Sequence, residues 1–198
     1  MKLLYSATSP YSAKVRMAAH HLDLDIVSET TKTEDVPSEL IVSNPLGKIP
    51  VLIRDGEKPV FDSVAIMQFV NRETKGKLYP RNPAKRTDAE VLEALCDGIT
   101  DCLIAIIYEQ RFHPPEKIHQ PWIDRQWAKA SRALDYLNSN LPKTSKNLNG
   151  GHFALAALCG YLELRFPGKW EKGRGKLQNW PKKFEKLFPD YQKFKPQG

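Results

Sequence analysis

The sequence predicts an α/β domain followed by an all-α helical domain, and three observations predict it. Over the first 75 residues, short apolar runs alternate with stretches in which apolar side chains recur at helical spacing. Next comes a stretch with Gly76, Pro80 and Pro83 and no periodicity, which reads as a linker. Beyond it the helical period persists and no alternating strand pattern returns. The expected division is residues 1–75, a linker at 76–84, and a helical domain at 85–198.

In order, Lys2 to Tyr5 reads as a short strand, and Val15, Ala18, Ala19 and Leu22 follow at helical spacing. Ile26-Val27 is a weak second strand and Val36 to Val42 a short helix. Val51-Leu52-Ile53 is a buried strand, Asp55-Gly56 a turn, and Val60-Phe61 the next strand. A helix then spans about Asp62 to Thr74. The order βαβ, α, ββα is that of a thioredoxin-like domain. In the second half, Leu92, Leu95, Ile99, Leu103 and Ile106 form one apolar stripe, ended by Pro114-Pro115. Ile123, Trp127, Ala130, Leu134, Leu137 and Leu141 form another. Phe153 to Leu162 is apolar on nearly every side, so it is expected at the domain's centre. Leu177 to Phe188 is a last amphipathic stretch, and the tail beyond it need not be regular.

Composition narrows the function classes. The chain has 198 residues, 41% of them hydrophobic, which is ordinary for a soluble protein with a core. No stretch approaches the roughly 20 apolar residues of a membrane span, and polar residues with Pro10 interrupt any secretory signal. Cys96, Cys102 and Cys159 fit neither a disulfide framework nor a zinc site. A cytoplasmic protein without a metal is expected. Of the net charge of +7, nine basic and three acidic residues lie from Lys169 onward. No nucleic-acid reading motif accompanies them, so a solvated face is the expectation.

Three short segments carry chemistry. Ser9-Pro10 is a helix start, because Ser caps well and Pro suits the first helical position. The same geometry lets a hydroxyl beside free N–H groups and the positive dipole end donate to a bound thiolate. Asn44-Pro45-Leu46-Gly47-Lys48-Ile49-Pro50 runs directly into the buried strand, a turn that leaves backbone polar groups for a ligand. Asp62-Ser63 opens a helix, again with capping residues.

In this order and spacing the three segments resemble the glutathione site of the glutathione S-transferase family, and the likeness runs nearly the full length. Ser9-Pro10-Tyr11, with Lys14-Val15-Arg16 after it, is similar to bacterial serine-type members. The resemblance implies the family's two-domain fold and glutathione as co-substrate. Ser9 would hold the thiolate, with Tyr5 as the runner-up by likeness to tyrosine-type relatives. Ile49, before a cis Pro50, would pair its backbone with the cysteinyl part, as in strand addition. Lys48 would reach the glycine carboxylate. Asp62 and Ser63 would take the γ-glutamyl end, with Asp62 standing where Glu or Gln is commoner.

Position places Tyr11, Tyr108, Arg111, Phe112 and His113 near the electrophile pocket that the family forms between its domains. His152 stands where the family has an acidic capping residue, so a less stable start to the buried helix is expected. The implied protein is a homodimeric glutathione transferase that conjugates a hydrophobic electrophile in detoxification. One alternative is a glutathione-binding or regulatory protein with this fold and little transferase activity. Another is partner binding through the basic C-terminus.

Overall fold

The computed structural model describes residues 1–33 and 38–198. Three strands, β1 (Lys2–Tyr5), β2 (Val27–Thr30) and β3 (Val51–Ile53), form one mixed sheet in the order β2-β1-β3. β1 runs parallel to β2 and antiparallel to β3, with Leu3 opposite both Ser28 and Leu52. Leu3, Leu4, Val51 and Leu52 are buried, while β2 is an exposed edge. The expected strand at Val60-Phe61 is a single bridge, Leu52 with Val60. Helices α1 (Pro10–His21), α2 (Ser38–Ser43) and α3 (Ser63–Glu73) complete this region. Val36, expected to open the short helix, lies outside the described residues.

The remainder is helical. α4 (Pro83–Phe112) is capped by Asn82, whose side chain accepts the Lys85 N–H at 3.0 Å, and it ends before Pro114. α5 (Gln120–Ser139), α6 (Gly150–Arg165), α7 (Gly175–Glu185) and α8 (Tyr191–Phe194) follow. α6 is buried from Gly150 through Leu162 and packs on both α1 and α4. This is what an apolar run with no polar face requires.

The C-terminal stretch is more ordered than its charge pattern suggested. Trp180, Phe184, Phe188, Tyr191 and Phe194 are all buried, with Trp180 stacked on Phe184 at 5.3 Å. The Tyr191 hydroxyl donates to Ala156 O in α6. Gln197 N donates to Ala7 O, and His20 Nε2 lies 2.8 Å from Asp190 Oδ2. The basic side chains thus coat an aromatic segment that straps the helices to the loop before α1.

The start of α6 departs from the expectation of a weakened cap. Asn149 Oδ1 accepts the His152 N–H at 3.2 Å, and His152 Nδ1 accepts the Asn149 N–H at 3.2 Å. Nε2 lies 3.2 Å from Lys143 O, so a neutral ring protonated at Nε2 satisfies all three contacts. The imidazole replaces a carboxylate's acceptor role without its charge. Gly150 and Gly151 make room for this entry: a Cβ at either would lie within 2.7 Å of the Tyr79 ring or Ala89 O.

Burial lowers the pKa of His152, partly offset by the Lys143 carbonyl. The unfolded imidazole therefore takes up a proton that the folded one refuses. The stabilisation is fully present above the unfolded value of about 6.5 and is lost as pH falls through the lower folded value. Denaturant unfolding at a series of pH values should show this loss, at most about 1.4 kcal/mol per pH unit. His152→Gln, which keeps an acceptor but does not titrate, should flatten that part of the profile.

Candidate functional site

A cleft of about 500 Å³ opens between the sheet region and the helical region. On the sheet side it is lined by Ser9 and Tyr11 at the start of α1, and by Gly47, Lys48 and Ile49 before β3. On the helical side α4 contributes Asp101, Ile104, Tyr108 and Arg111, and α6 contributes Tyr161 and Arg165.

Ser9 is the N-cap of α1, and its Oγ accepts the Ser12 N–H at 3.2 Å. A capping hydroxyl uses a lone pair and keeps its O–H free to donate elsewhere. It stands at the positive end of a twelve-residue helix. The structural and the functional readings of Ser9 are therefore compatible.

The segment before β3 is folded by Asn44. Its buried side chain donates to Lys48 O at 2.8 Å and accepts from Leu46 N at 3.1 Å. Gly47 sits at φ +61°, a conformation that a side chain would strain. The turn leads into a cis Ile49–Pro50 bond. Among the described residues, neither the N–H nor the C=O of Ile49 meets a hydrogen-bond partner. Such a pair of unmet groups beside a cleft is suited to an extended peptide-like ligand.

The pairing of Leu52 with Val60 brings the chain back toward the Pro50 end of β3, where α3 begins. Asp62 caps that helix, its Oδ1 accepting from Val64 N at 3.1 Å and from Ala65 N at 3.4 Å. The Phe61–Asp62 bond is also cis. Pro50, Asp62 and Ser63 do not line the cleft itself; they lie at its sheet-side margin by connectivity. Tyr5 does not line it either, because the Arg16 guanidinium covers its ring at 4.1 Å. Phe112, 63% exposed, does not line the cleft, and its ring stands at a steep angle to that of Tyr108.

Tyr11 donates its hydroxyl to Asp101, which ties the loop of Ser9 to α4. Burial first, and the carboxylate second, raise the Tyr11 pKa and keep the phenol neutral. One turn further along α1, Lys14 is fully buried and pairs with Glu93 at 3.0 Å and Asp97 at 2.6 Å. Burial opposes its charge, but the two carboxylates hold its pKa above the ordinary value. Tyr79 donates to the other oxygen of Glu93.

Sequence reasoning missed Asp101, Ile104, Tyr161 and Arg165. A signal existed: Glu93, Asp97, Asp101, Ile104, Tyr108 and Arg111 step by four or three along one face of α4. The apolar stripe Leu92, Leu95, Ile99, Leu103 and Ile106 on the same helix masks that polar face.

Comparison with known proteins gives a consistent result. Residues 8–73 match the family model described as glutathione S-transferase, N-terminal domain. The chain is 30% identical over 172 residues to the uncharacterised GST-like protein YibF of Escherichia coli (strain K12), covering 83% of each protein. The chain belongs to the glutathione S-transferase family. Among solved members, one from Methylobacillus flagellatus with glutathione bound is 30% identical, with a TM-score of 0.88 and 99% of each chain covered. One from Methylobacterium radiotolerans, in complex with glutathione sulfonate, is 27% identical, with a TM-score of 0.90 and 100% and 95% coverage. A family member from Pseudomonas fluorescens Pf-5 with bound S-(propanoic acid)-glutathione is 28% identical, with a TM-score of 0.85 and both chains covered fully.

In this family member, α1 is held to α4 through buried charge. Lys14→Met would leave two carboxylates facing each other without their cation. Breaking a buried pair in this way costs about 3–5 kcal/mol. The expected result is an unfolding free energy, from denaturant titration, lowered by that amount, with part of it recovered when Glu93→Gln is added.

Proposed function

We propose that this protein is a glutathione transferase that conjugates the glutathione thiolate to a hydrophobic electrophile in the cleft. The observation that carries the reading is the placement of Ser9: a helix-capping hydroxyl in the same cleft as the unpaired backbone of Ile49. The cysteinyl part of glutathione would pair with Ile49 N–H and C=O, bringing its sulfur to the start of α1. Lys48 would meet the glycine carboxylate, and the opening of α3 at Asp62 and Ser63 the γ-glutamyl end. Glutathione is bound in the Methylobacillus relative and an S-substituted glutathione in the Pseudomonas one, which supports glutathione as the ligand class. The S-(propanoic acid)-glutathione of the latter is a thioether, the class of product such a reaction yields.

Ser9 then does its work by stabilising an anion. A free thiol ionises near pH 8.5, so lowering its pKa by about two units needs roughly 2.7 kcal/mol in favour of the thiolate. One charge-assisted hydrogen bond with the helix dipole supplies much of that. The thiolate sulfur attacks the electrophile, and no general base on the second substrate is required. The reading includes a cytoplasmic homodimer, as the family resemblance implies.

Calorimetry with glutathione at neutral pH, with thiolate ultraviolet absorbance on the same samples, tests the proposal. Wild type should bind with a thiolate signal. Ser9→Ala should lose that signal and roughly 10- to 100-fold in kcat/KM, the worth of one hydrogen bond to a charged group. It should also lose about 1 kcal/mol of stability with the cap, whereas Ser9→Thr should retain most of both. No binding at millimolar glutathione overturns the reading. Binding without thiolate or turnover would make the protein a glutathione-binding module instead.

A further inference from the structure

We infer that the electrophile accepted here carries an anionic oxygen group, a carboxylate in the simplest case, and that Arg165 is the residue that holds it. This rests on the glutathione reading above and names the class of the second substrate.

Arg165 ends α6 on the helical wall of the cleft, opposite the Ser9 and Ile49 side. Its Nε is buried without a hydrogen-bond partner, and among the described residues its guanidinium makes no ion pair. Arginine cannot shed its proton, so this half-buried guanidinium keeps its full charge at the cleft wall and is compensated only when an acceptor arrives there. The carboxylate that shares the cleft, Asp101, already accepts from Tyr11.

The neighbours of Arg165 point to the same ligand class. Tyr161 lies one helical turn before it, and Arg111 and Tyr108 face them from α4. Burial pushes the Tyr161 phenol up to about 12, with Arg165 and Arg111 pulling the other way, so it stays a neutral donor. Ile104 and Ile107 provide the apolar floor. The wall therefore suits a ligand with an apolar body and an oxyanion end.

Charge balance separates this from a neutral electrophile. On the glutathione reading, the anionic groups of the bound peptide would be met on the sheet side, by the start of α1, by Lys48 and by the start of α3. That leaves the cation at Arg165 unmatched. A neutral apolar substrate would desolvate it without compensation, whereas a carboxylate accepts its planar fork bidentately. In the reaction, the thiolate sulfur forms a C–S bond as, for instance, a carbon–halogen bond breaks and halide leaves with the electron pair. The carboxylate is unchanged and fixes the orientation of the attacked carbon.

The decisive comparison is an isosteric pair of thioethers, S-carboxymethylglutathione and S-carbamoylmethylglutathione, titrated calorimetrically alongside glutathione. Wild type should prefer the acid about 10-fold. The ratio should fall to about one in Arg165→Met and be intermediate in Arg165→Lys, with folding checked by thermal melting. Equal affinities in wild type, with glutathione binding intact, overturn the inference without recourse to any variant. A preference that survives in Arg165→Met overturns the assignment to Arg165. Failure to bind glutathione and both thioethers overturns the glutathione reading, and this inference with it.

Discussion

The Lys14 ammonium, held between Glu93 and Asp97, is the contact on which the geometry of the cleft depends. It joins α1, which carries Ser9 at its cap, to α4, which supplies much of the opposite wall. Buried ion pairs add little net stability compared with apolar packing, because desolvation offsets the attraction. Their effect is specificity: the three charges tolerate one arrangement and penalise others. The Tyr11 to Asp101 and Tyr79 to Glu93 hydrogen bonds extend the same logic along α4. Both α1 and α4 pack on α6, so the apolar core of α6 sets their spacing while these polar contacts link them directly across the floor of the cleft.

The elements of the fold were largely legible because local patterns encode them. Leu3-Leu4 and Val51-Leu52 mark the central strands, and the uninterrupted apolar run in α6 marks a helix with no solvent face. The C-terminal tail was less legible, since its lysines mask an aromatic spacing at Trp180, Phe184, Phe188, Tyr191 and Phe194 that is that of a buried strap. At the site, Ser9, Lys48 and Ile49 could be singled out because their segments are short and contiguous. Asp101 lay on a legible polar face of α4 that the apolar stripe of the same helix masked, whereas Arg165 had no signal, because its relation to Ser9 exists only after α6 is packed against α1. Lys14 illustrates the same limit: 83 residues separate it from Asp97.

His152 shows how a departure from a familiar pattern can keep the physics while changing the chemistry. A capping box requires an acceptor for the N-cap N–H, and a neutral imidazole supplies one as a carboxylate would. What changes is the response to acid. A carboxylate keeps its acceptor role down to about pH 4, whereas an imidazole surrenders it nearer neutrality. The Lys143 carbonyl, which receives the Nε2 proton, fixes the tautomer that makes the substitution work.

The cleft can finally be understood as two walls with separate electrostatic tasks. The sheet side offers backbone groups and helix N-termini, which are partial charges fixed in direction and suited to a peptide with a thiolate at its centre. The helical side offers whole charges on long side chains above an apolar floor, which suit a range of shapes that share one anionic end. Under the proposed conjugation, the fixed wall would serve the constant ligand and the adaptable one the variable ligand. Here it follows from which helices meet: α1 presents its N-terminus to the cleft, whereas α6 presents its C-terminal end, where a cation is favoured. The position of Arg165 at that end is consistent with helix electrostatics before any ligand is considered, and with no ion-pair partner among the described residues its charge is the one the proposed anionic substrate would meet.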